Sequence, residues 1–187
     1  MLRKVLPRTA KPPFVGSIPT GASMMLALRS IFSTILIPGT VTVLIPYFIV
    51  SRGGGRPAGP WTALDVLAMG AMLLGAGILL RCIWDFADKG RGTLAPVDPP
   101  RELVVEGLFR YVRNPMYLGA LLLLLGEALF FRSVAVLQYA AAWFFFVNLV
   151  VLFYEEPALR RRFGQSYERY TRSVHRWLPA RPPARST

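Results

Sequence analysis

Residues 133–154 read SVAVLQYAAAWFFFVNLVVLFY and carry no charge. A helix needs about 20 apolar residues to cross the hydrocarbon core of a bilayer, and a long helix of a soluble protein would show a polar face, which this stretch lacks. Three more runs, with at most two charges each, share this character: Ser30–Val50, Trp61–Trp84 and Met116–Phe131. The sequence therefore predicts an all-α integral membrane protein with about four transmembrane helices and an amphipathic C-terminal tail.

The composition of the whole chain agrees with this prediction. Of 187 residues, 53% are hydrophobic and 17% are charged, and the formal net charge is +12. High hydrophobicity excludes a disordered chain, and the single cysteine, Cys82, excludes an intramolecular disulfide and a cysteine-based zinc site. No metal site is predicted. A basic, apolar chain leaves two classes, a nucleic-acid-binding protein or a membrane protein with basic loops, and the apolar runs favour the second.

The basic residues are unevenly distributed over the predicted loops. Seventeen of the 22 Lys and Arg residues lie in the N-terminal arm, in the 85–114 loop or after Glu155, whereas the opposite connections hold only Arg52, Arg56 and Arg132. Because loops rich in Lys and Arg stay in the cytoplasm, we expect both termini and the 85–114 loop to be cytoplasmic, in a bacterial inner membrane. The basic surface would face the lipid bilayer, and no nucleic-acid partner is expected.

Four segments are expected along the chain. They are a poorly structured basic arm (1–23), two N-terminal transmembrane helices (24–92), a functional core (93–179) and a flexible tail (180–187). The arm lacks the apolar stretch of a cleavable signal peptide, and its composition differs from that of the rest of the chain. We therefore expect the functional chain to start at Met24 or Met25.

Polar residues gather at the cytoplasmic ends of the last two predicted membrane helices. Since the link between these helices is short, they must pack as an antiparallel hairpin, which brings Arg113 to the depth of Glu155 and Glu156. Arg113 and the free amides after Pro115 attract a carboxylate or phosphate, and the two glutamates attract an ammonium group. A structural alternative stays open, in which the glutamates only pair with Arg160–Arg162.

Several motifs occur in order along this part of the chain: Leu103-Val104-x-x-Gly107-Leu108-Phe109, Arg113-Asn114-Pro115-Met116-Tyr117-Leu118-Gly119, Glu155-Glu156 and Phe163-Gly164-x-x-Tyr167-x-x-Tyr170. Together they resemble the membrane methyltransferase family of isoprenylcysteine carboxyl methyltransferases and phospholipid N-methyltransferases. The resemblance runs from about Thr93 to Pro179. It implies S-adenosylmethionine as the cofactor, bound at the cytoplasmic face of the hairpin. It also implies a membrane-embedded or amphipathic methyl acceptor with an isoprenylcysteine-like carboxylate, a lipid amine or a thiol.

The resemblance implies roles for individual residues. Arg113 and Asn114 would hold the methionyl carboxylate, and Glu155 would hold the ammonium group. Tyr117 would either face the sulfonium, since aromatic faces attract cations, or be an interfacial tyrosine. Glu156 would support Glu155 and is the candidate catalytic base. The full expected cofactor-binding set is Arg101, Leu103, Val104, Phe109, Arg113, Asn114, Pro115, Met116, Tyr117 and Glu155.

Four positions depart from the family pattern. Asn114 stands where family members often have histidine, and an asparagine can neither be cationic nor act as a base. In the eukaryotic carboxyl methyltransferases, histidine stands at the position of Arg101 and tyrosine at that of Phe109. Val151 replaces an arginine implicated in substrate handling, so a carboxylate acceptor loses its counter-charge. Two other functions stay open: a non-enzymatic small membrane bundle and an NADPH-dependent membrane reductase.

Overall fold

The computed structural model describes residues 36–53, 59–89, 105 and 107–179. Within these ranges every regular element is helical, as predicted. The five helices are α1 (Leu36–Arg52), α2 (Ala63–Lys89), α3 (Pro115–Phe130), α4 (Val134–Phe163) and α5 (Gln165–Ser173), and a 3₁₀ turn (Gly107–Arg110) precedes α3. The predicted arm 1–23 and tail 180–187 lie outside the described residues, as do Arg101, Leu103 and Val104.

Two of the helices are long and apolar enough to cross a membrane, α2 over Ala63–Asp85 and α4 over its full length. Both leave large apolar side chains uncovered, such as Leu73 and Phe145, which suits contact with lipid. Helices α1 and α3 are apolar but shorter. At 1.5 Å per residue, α3 reaches roughly 24 Å, less than a hydrocarbon core of about 30 Å. The helical class and two candidate spans are therefore confirmed, while four spans stay a prediction.

Helices α2 and α3 pack so closely that their backbones touch. A Cβ added to Gly75 would lie 2.6 Å from the carbonyl oxygen of Gly119 and 2.7 Å from the backbone nitrogen of Leu123. Gly126 is equally enclosed, since its Cβ would lie 2.8 Å from the carbonyl oxygen of Ala68. Small residues at such contacts allow the helices to approach closely, and the resulting dispersion contacts stabilise helix pairs in a membrane. The pair therefore forms a rigid support for the start of α3.

Helices α3 and α4 form the expected antiparallel hairpin, joined by residues 131–133. Ser133 is the N-cap of α4, and its hydroxyl accepts a hydrogen bond from the backbone N–H of Val136 at 3.3 Å. The other end of the hairpin, where α3 begins and α4 continues into α5, has no such covalent link. We call it the open end, and it carries the polar residues singled out from the sequence.

Two π turns interrupt the apolar helices, and each is followed by a proline. In α1 the π turn covers Thr40–Leu44 and Pro46 follows it, and in α4 the π turn covers Val151–Glu155 and Pro157 follows it. A proline ring in a regular helix clashes with the carbonyl four residues earlier. In both helices that carbonyl lies inside the π turn, where the wider turn relieves the clash.

Candidate cofactor site at the open end of the hairpin

The π turn in α4 determines which glutamate faces the interior. Val147 and Val151, the last buried residue before the π turn and the first residue within it, are four residues apart, but the next buried residue is Glu156, five residues further on. A π turn inserts one residue into the helical repeat. The inner face of the helix therefore shifts by one position, so that Glu156 is buried and Glu155 lies beside it, half-buried.

Glu156 is the centre of an ion-pair cluster. Its side chain accepts two hydrogen bonds from Arg176, at 2.7 Å from Nε and 2.9 Å from Nη2. Arg113 Nη1 lies 3.0 Å from Oε1, and Arg160 Nη2 lies 3.7 Å from Oε2. The hydrogen bonds to Glu156 favour the charged form of Arg176, and they therefore raise the pKa of Arg176. The cluster joins the segment that precedes α3, the last turns of α4 and the chain beyond α5.

Glu155 has a different partner. Tyr117, in the first turn of α3, donates a hydrogen bond from its hydroxyl to Glu155 Oε1. The ring of Tyr117 packs edge-on against Trp143 of α4, with 6.3 Å between ring centroids. Two neighbouring carboxylates thus differ in environment, since Glu155 receives a neutral donor and Glu156 receives three cations.

Arg113 and Asn114 are held by the chain that follows α5. The backbone N–H of Arg113 donates to the carbonyl oxygen of His175 at 2.9 Å, and Asn114 Nδ2 donates to the carbonyl oxygen of Arg176 at 3.3 Å. Arg113 Nε is buried and has no hydrogen-bond partner among the described residues. An unpaired buried N–H costs about 1–3 kcal/mol, so a hydrogen-bond acceptor that reached this atom would be stabilising.

The 3₁₀ turn before α3 carries Phe109 and is anchored from two sides. The Tyr170 hydroxyl donates to the Phe109 carbonyl oxygen at 2.6 Å, and burial raises the pKa of Tyr170, which keeps the hydroxyl a donor. Gly107 has φ +59, and a Cβ there would lie 2.2 Å from Oδ2 of the buried Asp85. Only glycine fits this position, because both the left-handed backbone and the carboxylate exclude a side chain.

The remaining expected residues lie in or next to the same region. Pro115 is buried at the start of α3, and Met116 packs against the cluster of Leu79, Ala120 and Leu123 between α2 and α3. The structure thus brings Phe109, Arg113, Asn114, Tyr117, Glu155 and Glu156 to one end of the hairpin. Their roles toward a cofactor stay predictions.

Sequence reasoning missed three residues of this region: Asp85, Arg176 and Trp177. In the sequence, Arg176 is only one of many basic residues after Glu155. The available signal was proximity in sequence, because Arg176 and Trp177 follow the Tyr167-x-x-Tyr170 motif directly.

A family model described as phospholipid methyltransferase matches residues 64–166. This chain belongs to the phospholipid methyltransferase family. The resemblance drawn from the motifs is thereby confirmed, and the matched range covers all but the first residue of α2, all of α3, Arg113, Tyr117 and both glutamates of α4. Membership in this family of membrane methyltransferases, together with the two apolar helices, identifies the chain as an integral membrane protein.

Curated relatives agree with the family. A probable protein-S-isoprenylcysteine O-methyltransferase of Oryza sativa subsp. indica is 32% identical over 80 residues, which cover 42% of this chain and 41% of the relative. The protein-S-isoprenylcysteine O-methyltransferase of Schizosaccharomyces pombe is 35% identical over 82 residues, which cover 43% of this chain and 34% of the relative. The match therefore spans well under half the length of these relatives. No solved structure matches the chain significantly.

Proposed function

We propose that this protein transfers a methyl group from S-adenosylmethionine to a lipophilic acceptor at the membrane surface. One observation carries the proposal: a buried arginine with an unpaired Nε, Arg113, and a carboxylate with a neutral partner, Glu155, lie together at the open end. The methionyl end of the cofactor carries one carboxylate and one ammonium group. A guanidinium and a carboxylate are the groups that bind these two charges most strongly.

Different residues of the open end would bind the two charged groups of the methionyl end of the cofactor. Arg113 Nε and the free backbone amides of the first turn of α3 would hold the carboxylate, and Glu155 would hold the ammonium group. When bound, the cofactor supplies an electrophilic methyl group on its sulfonium. Glu156 is surrounded by three guanidinium groups that occupy both its oxygens. This environment supports a role for Glu156 in fixing Arg113 rather than in accepting a proton.

Methyl transfer depends on alignment more than on acid–base chemistry, and positioning can contribute up to about 7–11 kcal/mol. The chain's own contribution is then to hold Arg113, Tyr117 and Glu155 in fixed relation. A pocket at the membrane surface lets a water-soluble cofactor meet an acceptor that enters laterally from the bilayer. The family name favours a phospholipid acceptor and the curated relatives an isoprenylcysteine carboxylate, and a thiol is the third class.

The proposed orientation places both termini and the open end in the cytoplasm of a bacterial cell. Ser51 and Ser173 are exposed and lie on opposite sides of the membrane in this orientation, and the single native cysteine is buried. A cysteine introduced at either serine therefore allows a direct labelling test. A membrane-impermeant maleimide should label Ser51→Cys in intact cells and label Ser173→Cys only after lysis. Labelling with the reverse pattern would contradict the orientation.

The proposed activity is tested by calorimetry of the full chain in detergent, with S-adenosylmethionine and with NADPH in parallel. Binding of S-adenosylmethionine supports the proposal, binding of NADPH alone indicates a membrane reductase, and binding of neither indicates a non-enzymatic bundle. The acceptor is then sought by mass spectrometry of lipids and small molecules from cells with and without the gene. A product heavier by one methylene unit in the presence of the gene identifies the acceptor class.

A further inference from the structure

We propose that residues 174–177, which we call the C-terminal strap, hold the residues of the cofactor site in place. Within this arrangement, Trp177 and Asn148 are positioning residues that hold the open end of the hairpin together. This inference rests on the proposed function. Neither residue belongs to the motifs that led to the site. Trp177 and Asn148 act by fixing the strap, which in turn holds Arg113, Asn114 and Glu156. The proposal does not require either residue to contact the reacting atoms.

The strap crosses from one helix of the hairpin to the other. On the α3 side, its carbonyl oxygens accept the hydrogen bonds from Arg113 and Asn114, the two residues that immediately precede the helix. On the α4 side, Arg176 binds Glu156 through two hydrogen bonds, and Trp177 Nε1 donates to Asn148 Oδ1 at 3.0 Å. The strap therefore ties together the two elements that supply the candidate site.

The geometry of the hairpin explains why such a tie is needed. The covalent link between α3 and α4 lies at residues 131–133, and Tyr117 is separated from it by most of the length of α3, roughly 20 Å at 1.5 Å per residue. A small splaying of the helices about that link produces its largest displacement at the open end. Such a displacement would separate Tyr117 from Glu155 and move Arg113 away from both.

Trp177 is the anchor that fixes the strap along α4. Its ring packs against Phe144 with 5.0 Å between centroids, one helical turn from Asn148 on the same side of α4. Asn148 also donates to the Phe144 carbonyl oxygen at 3.2 Å, which orients its amide so that Oδ1 faces the indole N–H. In an apolar helix, a polar side chain that finds such a partner outside its own helix holds two segments in register.

The test uses substitutions that remove the hydrogen bond and little else. Trp177→Phe keeps an aromatic ring against Phe144 but removes the indole N–H, and Asn148→Leu keeps an apolar helix with similar volume. Trp61→Phe is the matched control, because Trp61 packs against Phe130 at the opposite end of the bundle, with 6.0 Å between centroids. Unchanged helical content by circular dichroism confirms that each full-length variant is folded.

Two readouts on these variants separate the strap from the proposed function. Hydrogen exchange of peptides that cover residues 111–114 reports release of the Arg113 backbone N–H from the strap and needs no cofactor. Calorimetry gives the dissociation constant of S-adenosylmethionine. We expect faster exchange and a dissociation constant raised by about 2- to 10-fold, the equivalent of one hydrogen bond, with no change for Trp61→Phe. Because Trp177 and Asn148 act through one hydrogen bond, the double variant Trp177→Phe/Asn148→Leu should bind S-adenosylmethionine no more weakly than either single variant.

Each other outcome overturns the inference in its own way. Unchanged exchange in Trp177→Phe and Asn148→Leu would show that the indole–amide bond does not hold the strap. Faster exchange with unchanged cofactor affinity would show that the strap is only structural. If the unmodified protein binds no S-adenosylmethionine, the proposed function fails, and the inference fails with it.

Discussion

Glu155 and Glu156 are adjacent in sequence, and substituting each by glutamine should have opposite consequences. Glu156→Gln should destabilise the bundle and affect cofactor affinity only secondarily. Glu155→Gln should leave stability nearly unchanged and weaken binding of S-adenosylmethionine strongly. The reasoning is that Glu156 neutralises guanidinium groups in the absence of ligand, whereas Glu155 accepts a hydrogen bond from the neutral Tyr117 hydroxyl and is available to the ammonium group of the ligand.

The magnitudes follow from the contacts of each carboxylate. Glu156 is 4% exposed, accepts charge-assisted hydrogen bonds from Arg176 and forms an ion pair with Arg113, and removing one partner of a buried pair costs about 3–5 kcal/mol. Arg160 is half-exposed at 3.7 Å and adds little. Because glutamine keeps one acceptor oxygen and Arg176 can rehydrate, we expect a loss of about 3 kcal/mol. Glu155 loses part of one bond to Tyr117, about 1 kcal/mol or less.

The assay pairs two measurements on each variant in the same detergent. Unfolding by SDS titration in mixed micelles, followed by circular dichroism, gives the free energy of unfolding, and calorimetry gives the dissociation constant of S-adenosylmethionine. Loss of the ion pair to the ammonium group should raise that constant at least about tenfold for Glu155→Gln. The reasoning is refuted if the two variants are equally stable, or if Glu155→Gln binds as tightly as the unmodified protein.

Further substitutions test the support around the site. Gly75→Ala should lower the free energy of unfolding by about 1–3 kcal/mol, because its Cβ meets the backbone of α3; Gly77→Ala, which meets nothing within 4 Å, is the control and should be neutral. Gly107→Ala should cost more than about 1 kcal/mol in the same SDS titration, since it places a side chain in a left-handed backbone against a carboxylate. Tyr117→Phe should weaken binding of S-adenosylmethionine by about 2- to 10-fold in calorimetry, because the hydroxyl that orients a binding carboxylate is lost; an unchanged constant would argue against that orienting role.

The apolar runs predicted the existence of the helices well and their ends poorly. The run Ser133–Tyr154 marks α4, but the helix continues to Phe163, through two glutamates and a proline. Hydropathy reports contact with lipid, whereas helix propagation depends on backbone hydrogen bonds and continues beyond the last apolar residue. For the same reason α2 extends past Trp84 to Lys89.

The motifs predicted which residues gather at the open end, but not which of these residues form ion pairs and hydrogen bonds with each other. Arg113 and the glutamates are together as expected, because the hairpin topology alone requires it. The partner of Arg113 is Glu156, however, and the return of the chain after α5, which supplies Arg176 and Trp177, has no periodic pattern in the sequence. Contacts that depend on a non-helical segment crossing two helices cannot be derived from helical periodicity.

The division of labour between the two glutamates originates in a proline. In a regular α-helix that continued the spacing of Val147 and Val151, Glu155 would take the inner position and Glu156 would point about 100° away. Pro157 disfavours that regular helix, because its ring would clash with the carbonyl of Phe153, and the chain responds with the π turn over Val151–Glu155. The extra residue moves Glu156 to the inner face, where arginines from three segments converge. Glu155 is left beside Tyr117 with a neutral donor and no ion pair among the described residues, so its carboxyl group stays available to a cationic ligand.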